Sequence, residues 1–325
     1  MAEIDVVVPI YNVENCVDAC LRSLKEQSFK DIRILCVNDG STDGSQAIID
    51  RYAAEDTRFV PLLKKNGGLS DARNFGMKYV TAPFVMFIDG DDQCEPDMCE
   101  KSLKTIKDDG SDLVVFSYTQ VYSENNSTEV IPLAFSGCYS LKDKPELLAY
   151  TPNAAWNKLY RTSLFTEHGL EYPFGLRHQD LGTTPFLLAF ANKISYLNEP
   201  LYRYIVDRKG NITRQIDRKV RDILKIGEIV VSGFKKNNMF EQYKEELNYL
   251  LSINMIQSLR KAVKLTDSDF VNEFIDDIFA FKKKYFGSNP KKYPIKEARD
   301  DSVYLNKTML KLYYKYRSRK EAGHG

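Results

Sequence analysis

Three aspartates crowd the stretch Phe87-Ile88-Asp89-Gly90-Asp91-Asp92, at the carboxyl end of an apolar run from Phe84 to Ile88. Adjacent anions repel and lose hydration at the edge of a core, so this spacing points to a positive partner between them. Hard carboxylate oxygens on a short loop suit Mg²⁺ or Mn²⁺, and these ions bridge readily to nucleotide phosphates. The alternative is an acidic turn with Asp92 capping a helix. Further along, Trp156-Asn157-Lys158-Leu159-Tyr160-Arg161 and Arg177-His178-Gln179-Asp180-Leu181 supply an aromatic, a histidine and a carboxylate. One carboxylate within hydrogen-bond reach of a hydroxyl suffices for general-base work. The alternatives are an N-cap role for Asp180 and a core position for Trp156.

The elements that must position these groups alternate in type. Ile4 to Pro9 is a β-branched run, Val13 to Ser28 has helical spacing, and Ile32 to Val37 is apolar again. A helix pattern covers Asp43 to Ala54 and a strand Arg58 to Leu63; Gly67-Gly68 opens a helix through Tyr79. Such alternation implies βαβ units and a parallel sheet, whose ligands bind beyond the carboxyl ends of the strands. The loops at Pro9 to Asn12, Asn38 to Gly40, Lys65 to Gly67 and Asp89 to Asp91 all fall at that edge. Pro96 to Lys107 then reads as a helix, Asp112 to Tyr118 as a buried strand, and 121–136 as an extended hairpin or loop. Two or three amphipathic helices follow, over Ile216 to Phe234, Phe240 to Val263 and Asp267 to Phe281. The expected division is a sheet-bearing domain at 1–213 and a helical region at 214–325.

Four segments carry a family resemblance: Val-Val-Pro-Ile-Tyr-Asn, Val-Asn-Asp-Gly-Ser-Thr-Asp-Gly-Ser, Asn-Gly-Gly-Leu-Ser-Asp-Ala-Arg-Asn and Phe-Ile-Asp-Gly-Asp-Asp. In this order over about ninety residues they resemble glycosyltransferase family 2, the inverting, nucleotide-sugar-dependent enzymes of the GT-A fold. The similarity spans roughly residues 4 to 205. It implies an α/β, Rossmann-like, mostly parallel central sheet flanked by helices, here with a C-terminal helical extension. By that resemblance Pro9, Tyr11 and Asp39 hold the nucleobase and ribose, with Asp39 accepting from the uracil imide, and Asn12 and Asp92 complete the donor-binding set. Arg73 approaches the diphosphate or organises the loop that does, Asp89 contacts the ribose or the surroundings of the metal, and Asp91 ligates Mn²⁺ or Mg²⁺. In many capsular and cell-wall members a similar Trp-Asn-Lys-Leu-Tyr stretch precedes a Glu-Asp pair whose Asp is the catalytic base. Here Gln179 takes the place of the Glu and Asp180 is retained; Trp156 and His178 fall on the acceptor side. Arg203, Tyr204 and Arg208 through Thr213 resemble a loop that closes over the diphosphate, with a surface turn as the alternative.

The implied reaction is direct displacement at the anomeric carbon. Asp180 takes the proton of the acceptor hydroxyl, and a metal ion neutralises the departing nucleoside diphosphate. A flat uracil with one N–H is matched by an aromatic wall and one carboxylate, the pair Tyr11 and Asp39 supply. The expected activity is hexosyl or N-acetylhexosaminyl transfer from a UDP-sugar to a surface glycan, capsular or exopolysaccharide, carried on a lipid. The competing reading is a non-catalytic nucleotide-sugar-binding or scaffold subunit that assists a partner transferase. A nucleotidyltransferase would need a Gly-rich basic loop where Pro9-Ile10-Tyr11-Asn12 stands.

Composition sets the remaining bounds. The chain has 325 residues, 43% of them hydrophobic, enough for a sizeable core, and no apolar run of eighteen that would span a membrane. Six cysteines without a CxxC pair read as reduced thiols in a cytoplasmic protein, and three histidines leave little for zinc. Net charge is +1, yet from Phe281 to Lys320 thirteen Lys or Arg face three acids. A helix with Leu305, Met309, Leu312 and Tyr316 on one side and Lys307, Lys311, Lys315 and Arg319 elsewhere could lie on the anionic inner face of a membrane, or dock on the preceding helices. A homodimer is the other arrangement open to these helices. No nucleic-acid motif accompanies the charge.

Overall fold

The computed structural model describes residues 2–207, 216–265 and 267–293, with Lys307, Thr308, Leu310 and Lys311 beyond them. In chain order the first elements are β1 (Ile4–Ile10), α1 (Val17–Lys25), β2 (Ile32–Asn38), α2 (Ser45–Glu55), β3 (Phe59–Leu63), α3 (Leu69–Met77) and β4 (Phe84–Phe87). Next come β5 (Gln93–Cys94), α4 (Met98–Asp109), β6 (Leu113–Tyr122), β7 (Ser127–Ile131), β8 (Gly137–Tyr139), α5 (Leu147–Tyr150) and β9 (Lys158–Arg161). The chain continues through α6 (Ser163–Thr166), α7 (Thr184–Phe190), β10 (Ile194–Ile205), α8 (Asp222–Lys236), α9 (Lys244–Ala262) and α10 (Ser268–Tyr285).

Two compact units emerge. The first comprises Met1–Lys144, Thr151–Gly175 and Gln179–Ile212. Its sheet runs β3-β2-β1-β4-β9-β6-β10-β5, with β7 paired to β6 and β8 to β10. Strands β3, β2, β1 and β4 are parallel, the βαβ half that the sequence predicts. Every residue of β1 is buried, as an unbroken apolar run covered on both faces must be. Helix α1 buries Val17, Cys20, Leu21 and Leu24, the i, i+3, i+4, i+7 stripe that faces a sheet. Beyond β4 the sheet becomes mixed: β9 is antiparallel to both β4 and β6, whereas β10 is parallel to β6. The segment 121–136 closes as the expected hairpin of β6 and β7. All six cysteines are free thiols.

The second unit comprises Pro145–Tyr150, Leu176–His178 and Thr213–Gly325. Helices α8, α9 and α10 fall where amphipathic spacing places them, and a small cluster of Ala149, Tyr249 and Tyr293 packs at α5 and α9. Leu310 is 1% exposed, and Lys307 and Lys311 both pair with Asp276 of α10, so the described part of the basic tail docks within this unit. Leu305, Met309, Leu312, Lys315, Tyr316 and Arg319 of the expected amphipathic helix, and Arg208 to Thr213 of the expected closing loop, lie outside the described residues. Among the described residues no helix is long and apolar enough to cross a membrane.

Candidate active site

The parallel half brings its loops to one edge by construction, because β1, β2, β3 and β4 end in register there. Asp39 follows β2 with its side chain 3% exposed. Its Oδ1 accepts from Lys64 Nζ at 2.5 Å and from the Gly67 N–H at 2.9 Å, and its Oδ2 accepts from the Gly68 N–H at 2.7 Å. A carboxylate offers about four lone-pair positions, so one on Oδ2 is left for a further donor. Lys64 also pairs with Asp71 on α3. Asn12, at φ +50°, accepts the Thr42 N–H at 2.8 Å while its own N–H reaches Ser41 Oγ at 3.1 Å, which locks the first loop to the second. Pro9 is buried, whereas Tyr11 stands 49% exposed beside it. Gly90 is required by close approach: a Cβ there would meet the Pro9 carbonyl oxygen at 2.9 Å.

Arg73 joins two of the candidate carboxylates. Helix α3 buries it completely, and its guanidinium donates from Nη1 to Asp180 Oδ1 at 2.5 Å and from Nη2 to Asp89 Oδ1 at 2.7 Å. The ring of Tyr172 lies 5.2 Å from the same group. Burial opposes the charge on Arg73, but Asp180 and Asp89 outweigh it and hold the guanidinium protonated. The same helix holds the segment before α7 at two further points. Ser70 donates to Gln179, and Asn74 exchanges hydrogen bonds with the Tyr172 backbone at 2.8 and 2.9 Å.

Asp180 caps no helix with its side chain: its backbone carbonyl accepts from Thr183 and Thr184 at the start of α7, while its carboxylate turns to Arg73. Burial raises its pKa and the Asp89 charge adds to the rise, against the opposing pull of Arg73 and Lys158. A quarter of the side chain still reaches solvent. A carboxylate beside a cation and with raised proton affinity is chemically able to accept a proton. Lys158, fully buried at the start of β9, donates to Pro152 O, Ala154 O and Asn157 Oδ1 at 2.6–2.7 Å. Burial pulls its pKa down to about 7.

The acidic loop divides its labour. Asp92 caps no helix either; α4 is preceded by Asp97 instead. The Asp92 carboxylate is buried, accepting from the Tyr202 hydroxyl at 2.7 Å and the Ile205 N–H at 2.8 Å. Burial and the nearby Asp91 and Asp89 push its pKa well up. Asp89 and Asp91 remain partly exposed on the same turn. Two hard carboxylates of this kind fit a Mg²⁺ or Mn²⁺ that takes its other ligands from phosphate and water. Among the described residues no group of three or more His, Cys, Asp or Glu side chains forms a metal cage.

Trp156 is 9% exposed, its indole stacked on Tyr202 at 4.5 Å and Tyr204 at 5.5 Å with Tyr118 edge-on. The structure therefore places it inside the aromatic layer under the acidic loop. His178 belongs to the second unit, at φ +59°, with Nε2 3.2 Å from Ser258 Oγ. Burial, with Lys261 and Arg177 nearby, lowers its pKa to about 4, so the ring is neutral. Sequence reasoning gave no role to Ser70, Asn74, Lys64, Lys158 or Tyr172. The signal for Ser70 is its i, i+3 relation to Arg73, and for Asn74 its i, i+4 relation to Ser70, on α3.

The chain matches glycosyl transferase family 2 over residues 5–169. It is 31% identical over 261 residues to the putative glycosyltransferase EpsH of Bacillus subtilis, covering 77% of this chain and 74% of EpsH. It is 34% identical over 225 residues to the glycosyltransferase GlyA of Streptococcus pneumoniae, covering 65% of this chain and spanning about a third, 32%, of GlyA. Among solved structures, Staphylococcus aureus TarS 1-349 in complex with UDP-GlcNAc superposes with a TM-score of 0.59 at 19% identity, over 88% of this chain and 89% of that one. At that identity the likeness concerns the fold, and the mixed α/β sheet with flanking helices agrees with it.

Proposed function

Because the chain belongs to glycosyl transferase family 2, we propose that it moves a hexosyl or N-acetylhexosaminyl group from a UDP-sugar to a glycan acceptor by metal-assisted direct displacement, with inversion at the anomeric carbon. The observation that carries this reading is the Arg73 bridge, which joins a carboxylate of the acidic loop to Asp180 through one buried guanidinium. A cation shared in this way keeps the base ionised and fixes its distance from the donor loop, which the reaction requires of both. In this reading the uracil lies against Tyr11, Pro9 and Asn12 and uses the remaining acceptor position on Asp39. Asp91, with Asp89 beside it, would hold Mn²⁺ or Mg²⁺, whose chemistry would be to offset the charge of the departing diphosphate. Asp180 accepts the acceptor's proton as the new C–O bond forms. Asp92, Trp156 and Tyr204 act from inside, holding the loop. The UDP-GlcNAc named for the TarS complex supports a uridine donor. The poly(ribitol-phosphate) β-N-acetylglucosaminyltransferase TarS of Staphylococcus aureus, 24% identical, favours a polymeric surface acceptor, and a lipid carrier at the cytoplasmic membrane face is part of the same proposal. Residues 1–213 act as the catalytic domain and 214–325 as a helical accessory region.

UDP release with a panel of UDP-sugars and Mn²⁺ tests the proposal, with thermal shift as the binding readout. The expected result is metal-dependent turnover, lost in Asp180→Ala with donor binding kept; Asp91→Ala loses both. General-base removal of this kind costs about 10²- to 10⁴-fold. Retained turnover in Asp180→Ala refutes the base, and donor binding without turnover on any donor points to the scaffold reading.

A further inference from the structure

We propose that Tyr202 is a positioning residue that sets the acidic loop for its cation and links that loop to the indole of Trp156; the inference rests on the cation reading above. Tyr202 is fully buried in β10. Its hydroxyl makes two bonds to the loop, donating to Asp92 Oδ2 at 2.7 Å and accepting from the Asp89 N–H at 3.3 Å. With the Ile205 N–H on Asp92 Oδ1, both oxygens of Asp92 are held by β10. Asp92 is thereby drawn inward, and Asp89 and Asp91 are left as the partly exposed pair.

The hydroxyl touches the loop at both ends of the four-residue turn, whose two termini also close on each other through Asp92 N–H to Asp89 O at 3.0 Å. It therefore fixes the turn that spaces the two outward carboxylates. Behind the hydroxyl, the phenol ring lies 4.5 Å from the Trp156 indole and 14° from parallel. Trp156 is the single tryptophan of the chain, so its emission reports on this stack alone.

Full-length wild type and Tyr202→Phe are titrated with Mn²⁺ in the presence of UDP, followed by electron paramagnetic resonance of free Mn²⁺ and by Trp156 emission. The variant keeps the ring and its stack while losing both loop bonds. Removing an outer hydrogen-bond partner of a metal site weakens the metal about 10- to 100-fold, and that is the expected loss in Tyr202→Phe. Wild-type emission is expected to shift on loading, with a smaller shift in the variant. Equal Mn²⁺ affinity in the two proteins overturns the role of Tyr202 and leaves the cation reading intact. A wild type that binds no Mn²⁺ with UDP overturns both. If Tyr202→Phe does not fold, the wild-type emission decides: no change on loading overturns the link to Trp156.

Discussion

Arg73→Met removes the guanidinium that bonds Asp180 and Asp89 at 2.5 and 2.7 Å and puts a side chain of similar length in the same buried space. Breaking a buried ion pair from one side costs about 3–5 kcal/mol. Asp180 is 25% and Asp89 21% exposed, so water recovers part of that and the lower end of the range applies. An opposite charge at this distance lowers a carboxyl pKa, so Asp180, already raised by burial, should rise further once the guanidinium is gone. In the proposed reaction the base works only when ionised. The acid limb of the kcat/KM profile should therefore move to higher pH, with a loss of about tenfold for each pH unit below it. Stability follows the same sign. A carboxyl whose folded pKa lies above its unfolded value contributes stability at low pH that is lost as pH rises through the folded pKa, so the variant's deficit should grow from acid toward neutral pH. UDP release across roughly pH 5 to 9, with urea unfolding at each pH, reads both. An unchanged acid limb in a folded variant would refute the shared-cation argument.

Two other substitutions probe the surroundings. Lys158→Met strands three acceptor oxygens, at about 1–3 kcal/mol for each that finds no water. Because its folded pKa of about 7 lies below the ordinary 10.5, Lys158 contributes stability at high pH that fades as pH falls through about 7. The variant's deficit in urea midpoint should thus be larger near the ordinary lysine pKa than at neutrality, and a constant deficit would contradict the depressed lysine. His178→Asn suits the positive φ and removes the ring. His178 contributes stability above its ordinary 6.5 that is lost as pH falls through about 4, so the variant should show a flatter midpoint-against-pH curve within that window.

The parallel half was legible because its strands are continuous apolar runs separated by helical spacing, signals carried within each segment. Strand β9 was not, because Lys158 to Arg161 reads locally as a polar motif and becomes a strand only by pairing antiparallel with β4 and β6. The register shifts of β10 around Pro200 hide a twelve-residue strand in the same way. At the site, residue types pointed to Asp89, Asp91 and Asp180, yet the Arg73–Asp180 bond joins residues 107 apart, and no spacing rule encodes it. Asp92 shows the opposite case. An acid next to Asp91 looks like part of the same outward cluster, and only the hydroxyl of Tyr202, 110 residues away, reveals that it faces inward.

Asp39 gathers Lys64 and the amides of Gly67 and Gly68 onto one buried carboxylate, so the loop after β3 is tied down in the ligand-free chain. The entropy of ordering that loop is consequently lost when the chain folds, not when a nucleotide arrives. Under the proposed function, a nucleoside meeting such a prebuilt seat would dock in a single bimolecular step, and selectivity for its base would rest on rigid shape more than on a loop that remodels itself around each visitor.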